Sequence, residues 1–355
     1  MNILSSLFRN ELAIDLGTVN TIIYAPGRGL LLNEPSVVAL DRYDGDVLYV
    51  GSRALKLLGR EPRDIEVHRP IRSGTIFNFE VTQKMLKSFL NKATDGYRRG
   101  HFVVGVPGSS TAVEQRSIRD AARDSGGYRV DLVDEGLAAG LGAGLDPGDE
   151  RAHLIVDVGG GTTNIAIIAS GGVVSSLTLT AAGNEMDEAI RDYIRSKYCL
   201  HIGESSAERV KRELGSLLED EIADEESVEV IGKHIIDGSA NAVEVTAGEI
   251  REALQPVLAE IVAGVHHAIE EAHPEAIADI YRLGIILTGG GALMKGLPER
   301  LQEELNLQVT VPDNPMAMVA LGAGSLIAAR EILQRASIRQ DLPVWEKSEE
   351  LVVTW

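Results

Sequence analysis

The sequence predicts an α/β protein of two related domains that flank a cleft, each carrying a smaller inserted subdomain. A repeated motif carries most of that expectation. Leu12-Ala13-Ile14-Asp15-Leu16-Gly17-Thr18-Val19-Asn20-Thr21-Ile22-Ile23 reads as an apolar strand ending near an acid, a glycine turn with hydroxyls, and an apolar return. The plan recurs about one domain length later: Leu154 to Val158 with Asp157, then Gly159-Gly160-Gly161-Thr162-Thr163-Asn164, then Ile165 to Ala169. One glycine hairpin is often only a turn, but an ordered repeat of the whole pattern is not a chance turn. A chain of 355 residues with 44% hydrophobic content is also long enough to build two cores.

In chain order, residues 2–9 come first. At about 100° per residue, Ile3, Leu4, Leu7 and Phe8 fall within about 140° of arc, with Asn2, Ser5, Ser6 and Arg9 opposite. Two readings stay open: a short amphipathic helix lying in a membrane interface, or a segment packed on the first domain. With Arg9 as its only cation, one copy would hold lipid weakly; many copies on one polymer would add up. Leu30 to Leu32 and Val37 to Leu40 read as strands broken by Asn33-Glu34-Pro35-Ser36, and 41–75 as a small lobe with one helix near 52–59. Residues 80–93 have helical periodicity, with Val81, Met85, Leu86, Phe89 and Leu90 on one side. The loop 94–101, with Tyr97, Arg98 and Arg99, reads as solvated or as a second contact with lipid headgroups.

Phe102 to Pro107 is the next strand, and Gly108-Ser109-Ser110-Thr111 the boundary of a helix over about 112–125. After the strand Val130 to Val133, Asp134-Glu135-Gly136 opens a helix, Leu137 to Leu145, whose alanines and glycines suit close packing at a domain junction. Asp146-Pro147-Gly148-Asp149 is the linker candidate. In the second half, 172–180 reads as an apolar strand, 183–198 and 205–218 as helices, and 219–229 as a solvated acidic segment. Val228 to Ile231 and Ala242 to Val245 form a ribbon around Asp237-Gly238. Glu249 to Glu271 is a long amphipathic helix, bent at Gln255-Pro256, with His266, His267 and His273 as surface residues. Gly284 to Leu293 is a third strand entering a glycine turn, whose bare backbone would make a floor for a planar base. A helix at 296–305, a strand at 307–311, one small-residue helix over 316–333 and a flexible tail complete the reading.

Composition excludes several function classes. The formal charge is 34 − 53 = −19, against the basic surface that nucleic-acid binding needs. Aromatics at 4% argue against stacking platforms for bases, and one cysteine, Cys199, rules out an intrachain disulfide. No spacing suits zinc, no apolar run reaches the length of a membrane span, and the first residues lack a secretion signal. The composition is that of a soluble, acidic, intracellular protein.

The chemistry lies in the glycine turns. Three glycines let backbone N–H groups approach an anion closely, and an acid at a strand end beside such a cradle suits a metal ion bridged to phosphate through water. Two hairpins facing each other would hold a polyphosphate from both sides. Glu135, a carboxylate at a strand end, stands where a water-polarising group belongs.

Asp15-Leu16-Gly17-Thr18, Asp157-Val158-Gly159-Gly160-Gly161-Thr162 and Thr288-Gly289-Gly290-Gly291 resemble the two phosphate motifs and the adenosine motif of the actin, sugar-kinase and heat-shock-chaperone superfamily. Within it the chain resembles the bacterial cell-shape actins of the MreB family, over roughly residues 8–330. Ala13 to Thr21, Leu32 to Ala39, Gly159 to Thr163 and Leu287 to Leu293 point there. The resemblance implies an actin-like ATPase fold, with domain I at 10–147 and 316–333 (subdomain about 33–75) and domain II at 148–315 (subdomain about 184–248). It implies ATP/ADP and Mg2+ as cofactors, with Asp15 and Asp157 holding the metal mostly through water. Gly17, Thr18, Val19, Asn20, Gly159, Gly160, Gly161 and Thr162 would surround the phosphates. Glu208 and Lys211 would flank ribose and base, with Gly289, Gly290, Gly291 and Ala292 on the other side. Glu135 would orient the attacking water, with Thr163 near it.

The resemblance also implies self-assembly into filaments on the inner face of the cytoplasmic membrane, anchored by residues 1–9 and working with membrane proteins of cell-wall elongation. Two departures stand out: Gly136 where the family has Pro, which would loosen Glu135, and Asn164 where it has an acid. Either would slow hydrolysis or alter its coupling to polymerisation. The tail, 334–355, lies outside the resemblance. A chaperone-type ATPase is disfavoured because no substrate domain follows 333, and a sugar kinase because no Asp is placed as base for a sugar hydroxyl. The apolar N-terminus speaks against a plasmid- or organelle-positioning filament.

Overall fold

The computed structural model describes residues 10–96, 99–218 and 225–338. The apolar segment 1–9, Tyr97 and Arg98, most of the acidic stretch and the chain past 338 lie outside the described residues. The first half contains β1 (Asn10–Leu16), β2 (Asn20–Ala25) and β3 (Gly29–Pro35), then lobe strands β4 (Val38–Asp41), β5 (Val47–Val50) and β6 (Ile65–His68). A small hairpin, β7 (Ile71–Arg72) and β8 (Thr75–Ile76), leads to β9 (Gly100–Val106) and β10 (Gly127–Asp134). The second half contains β11 (His153–Val158), β12 (Thr163–Ala169), β13 (Gly172–Leu179), β14 (Leu200–His201), β15 (Ser227–His234), β16 (Ala240–Thr246), β17 (Ile285–Thr288) and β18 (Val309–Thr310).

The two halves are the same fold written twice. One sheet runs β3-β2-β1-β9-β10 and the other β13-β12-β11-β17-β18. In each, three antiparallel strands form a meander, and two more extend it in parallel from the first strand. Asp15 and Asp157 occupy corresponding places near the ends of the two first strands. The parallel central strands are apolar because both faces are covered: every residue of β9 and β11 is buried.

The helices follow the same duplication. α1 (Ser52–Leu55) and α2 (Phe79–Ala93) precede β9; α3 (Ala112–Asp124) joins β9 to β10, and α4 (Glu135–Gly142) follows β10. In the second half, α5 (Gly183–Tyr198), α6 (Glu204–Leu214), α7 (Ala247–Glu270) and α8 (Pro274–Leu283) precede β17. Then α9 (Leu297–Leu305) joins β17 to β18, and α10 (Met318–Ala328) and α11 (Arg330–Ala336) close the described chain. Thr111 and Thr246 start α3 and α7 with capping boxes to Glu114 and Glu249, each satisfying N–H groups that the first turn leaves open.

α4 and α10 are counterparts, and they exchange sheets. α4, leaving β10, packs chiefly on β11 and β12; α10, leaving β18, packs on β1, β2 and β9. The two cross between the sheets, in a core of Leu137, Ala138, Ala139, Met318, Val319, Ala323 and residues from both sheets. Small residues are required there. An added Cβ at Gly142 would overlap the Met318 carbonyl, and one at Gly322 the Ala138 carbonyl, a reciprocal pair four residues apart on each helix. The small-residue pattern of both helices therefore encodes the joint between the halves.

Several boundaries differ from the sequence reading. β3 continues through Asn33 and Glu34 to Pro35, because it lies at the sheet edge where a missing N–H costs little. The lobe helix is one turn, Ser52–Leu55. α6 stops at Leu214, since Gly215 turns the chain so tightly that a Cβ there would overlap Lys211 O. α7 runs unbroken through Pro256. The helix expected over 316–333 is two, parted at Ala329 (φ −102°, ψ 68°). The tail's first residues are ordered: Ser337 bridges Val133, and Ile338 N donates to Leu132 O at 2.8 Å. Among the described residues no helix is long and apolar enough to cross a membrane.

Candidate functional site

The two glycine turns touch each other. An added Cβ at Gly160 would overlap the Val19 side chain, and one at Gly161 would lie 2.6 Å from Thr18 Cβ. Only glycine lets the second turn come this close to the first. Gly159 N donates to Thr162 O at 2.9 Å, closing the second turn. The first is braced from beneath: Ser36 Oγ donates to Gly17 O at 2.7 Å and lies 2.9 Å from Thr21 Oγ1. The small hairpin of the lobe reaches in as well, with Gly74 N donating to Thr18 Oγ1 at 2.8 Å. Thr18 and Val19 thus face Gly160 and Gly161 where the two sheets approach.

Four carboxylates gather at this junction. Asp15 and Asp157 end the first strands; Asp134 caps α4, accepting from Leu137 N at 3.0 Å, and Glu135 is its first residue. Burial pushes Asp157 up to about 6, against a hydrogen bond from Thr288 Oγ1 at 2.9 Å. Desolvation first, and the charge of Asp157 next, push Asp15 upward too. Glu135 lies well above the ordinary carboxylate range, through burial and then through Asp15, Asp157 and Asp134. A hard divalent cation fits this donor set, because crowded carboxylate oxygens favour a cation with oxygen ligands. Among the described residues no three His, Cys, Asp or Glu side chains converge as a metal cage. Such an ion would draw its other oxygens from water and phosphate.

Glu135 is held firmly. Asn164 Nδ2 donates to Glu135 Oε2 at 2.7 Å, and Thr178 Oγ1 donates to Asn164 Oδ1 at 2.8 Å. Thr163 is fully buried and turns its hydroxyl to Ala181 O at 2.6 Å, so the neighbour that touches Glu135 is Asn164. At Gly136 an added Cβ would overlap that of Ala166, so α4 is pressed onto β12 directly after the glutamate.

On the other flank, Gly183 N donates to Gly159 O at 3.1 Å and Asn184 N to Gly160 O at 2.7 Å, joining α5 to the second turn. Lys211 Nζ donates to Gly183 O at 2.8 Å and pairs with Asp187 at 2.9 Å. Glu208, one turn earlier on α6, lies 3.7 Å from Arg212. The third glycine turn packs on the end of β11: a Cβ at Gly289 would lie 2.8 Å from Asp157 Oδ1, while Gly290 faces open space and Ala292 is buried. Above, Arg69 from the first half meets Glu204 from the second at 3.4 Å. Of the residues singled out from the sequence, Asp15, Thr18, Val19, Glu135, Asp157, Gly160, Gly161, Lys211 and Gly289 lie around one junction, while Ile3, Leu4, Leu7 and Phe8 lie outside the described residues. Thr178, Gly74 and Asp187 were not foreseen, and Thr288 was seen as the start of the third glycine motif but not as the partner of Asp157; the polar residues inside the run 172–180 were the one signal for Thr178.

Comparison with known proteins agrees with this geometry. The family model described as MreB/Mbl protein matches residues 9–335. The chain is 41% identical over 323 residues to the cell shape-determining protein Mbl of Bacillus subtilis (strain 168), covering 90% of this chain and 96% of that one. It is 42% identical over 329 residues to the cell shape-determining protein MreB of Escherichia coli (strain K12), covering 90% and 94%. The crystal structure of MreB 5 of Spiroplasma citri bound to AMPPNP superposes with a TM-score of 0.86 at 31% identity, over 92% of this chain and 98% of that one. Two duplicated sheets meeting at paired glycine turns form an actin-like fold, and this chain belongs to the MreB/Mbl family.

Proposed function

We propose that this protein binds ATP with Mg2+ between the paired turns, hydrolyses it with Glu135 orienting the water, and polymerises head to tail into filaments. The filaments would lie on the inner face of the cytoplasmic membrane and support rod-shape cell-wall synthesis together with membrane proteins of cell-wall elongation. The observation that carries this reading is the meeting of Thr18 and Val19 with Gly160 and Gly161, one turn from each half. A triphosphate there contacts both halves at once, so its binding favours their closed arrangement and loss of the γ-phosphate weakens it. A head-to-tail contact is heterologous and does not close on itself, which gives a filament.

Within this reading, domain I spans 10–147 and 316–333, and domain II 148–315. Backbone N–H groups of Gly17 to Asn20 and Gly159 to Thr162 bind phosphate oxygens. Glu208 and Lys211 flank the ribose and base opposite Gly289 to Ala292. Asp15 and Asp157 hold the metal, which neutralises phosphate charge. Glu135 accepts a hydrogen bond from the attacking water and aligns it. Ile3, Leu4, Leu7 and Phe8 insert into lipid.

Two experiments test the reading. The full chain with ATP and magnesium is expected to sediment as polymer and to float with liposomes, while Leu7→Glu/Phe8→Glu sediments but no longer floats. Absence of polymer with every nucleotide and lipid overturns the filament, and undiminished flotation of the double variant overturns the anchor. Gly161→Ala is expected to weaken ATP binding about 10- to 100-fold, because the added methyl forces the turns apart at a cost of about 1–3 kcal/mol. Competition against a fluorescent ATP analogue reads this directly, and unchanged affinity would place the nucleotide elsewhere.

A further inference from the structure

Glu135 and its hydrogen-bond donor come from different halves of the molecule. Glu135 begins α4, which leaves the first sheet; Asn164 lies on β12 of the second. In the ladder Asn164 pairs with Asp157 on one side and Thr178 on the other, which sets three polar side chains in a row across three strands. Asn164 is 4% exposed, so its amide has no water to fall back on. The Thr178 hydroxyl fixes its orientation: with Oδ1 accepting from Thr178, Nδ2 must face Glu135.

We propose that Asn164, oriented by Thr178, is a positioning residue for hydrolysis. It ties down one oxygen of Glu135 and leaves the other to hold the attacking water. A neutral donor is the chemistry the place demands. Asp15, Asp157 and Asp134 already act on Glu135 by charge, and Asn164 supplies a hydrogen bond without adding a fourth negative neighbour.

This inference rests on the hydrolytic reading of Glu135, and the test separates the two. Single-turnover phosphate release and ATP affinity are measured on the full chain carrying Asn164→Leu, Thr178→Val, Thr178→Ser or Glu135→Gln. Asn164→Leu is expected to slow release about tenfold or more, the effect of losing one charge-assisted hydrogen bond, with ATP affinity held within about threefold. Thr178→Val is expected to slow release several-fold, since the amide is free to turn, and Thr178→Ser to restore it. A wild-type rate in either Asn164→Leu or Thr178→Val overturns the proposal, as does Thr178→Ser falling as far as valine. If Asn164→Leu does not fold, the Thr178 pair decides alone. A wild-type rate in Glu135→Gln instead overturns the role of the glutamate itself.

Discussion

Glu135→Gln is expected to bind ATP and to polymerise, yet to release phosphate about 10²- to 10⁴-fold more slowly, the range lost with a general base or water-orienting group. Glutamine keeps the length of the side chain, and its carbonyl oxygen still accepts from Asn164 Nδ2. What it loses is the negative charge that draws a proton from water. The same substitution removes one of four carboxylates crowded at the junction, where burial first, and then the charges of Asp15, Asp157 and Asp134, push Glu135 upward. The nucleotide-free variant is therefore expected to melt no lower than the parent. Phosphate release and thermal stability then move independently, which a merely damaged protein cannot reproduce. A variant that both melts early and hydrolyses slowly would point to a structural role, and one that hydrolyses at the parental rate would remove Glu135 from the chemistry.

How much of this was legible in the sequence depends on the range of the interaction. The paired turns were legible because their constraint is local. A glycine run between two apolar strands forces a tight, bare turn whatever the rest of the chain does, and Asp15 and Asp157 mark the same position twice. The capping boxes at Thr111 and Thr246 are local too, each spanning three residues. The hydrogen bonds around Glu135 were not legible, since Asn164 lies 29 residues away in the chain and Thr178 another 14. Asn164 stood out as a departure from the family pattern, but nothing in the chain said which carboxylate it would meet. The break at Ala329 is opaque for another reason. Ala328, Ala329 and Arg330 are all good helix formers, so packing rather than propensity parts α10 from α11. Ordering of Ser337 and Ile338 follows from an open edge on β10, which only the sheet order reveals.

Gly322→Ala is expected to be the most destabilising single methyl in the protein. At most core positions an extra methyl finds room by a side-chain rotation, and the cost is about 1–3 kcal/mol. Here the added carbon would overlap the Ala138 carbonyl and lie 2.7 Å from Gly142 N, both backbone atoms of α4. No rotamer change relieves that, so α4 and α10 must separate along their length. The cost should therefore reach about 3 kcal/mol or more, an apparent midpoint shift of about 5 °C or more. Gly172→Ala is the control, since its added Cβ would meet only Ala169 O at 3.8 Å. The crossing also sets how the two sheets face each other, and through them how Thr18 and Val19 meet Gly160 and Gly161. A ligand stabilises the fold only as far as the native arrangement binds it, by about 2.7 kcal/mol at a hundred times its Kd. If the helices govern the cleft, Gly322→Ala will gain less from saturating ATP than the control does. Equal ATP-induced shifts in the two variants would show that the crossing holds the halves together without setting their angle, and the link from helix packing to nucleotide grip would fail.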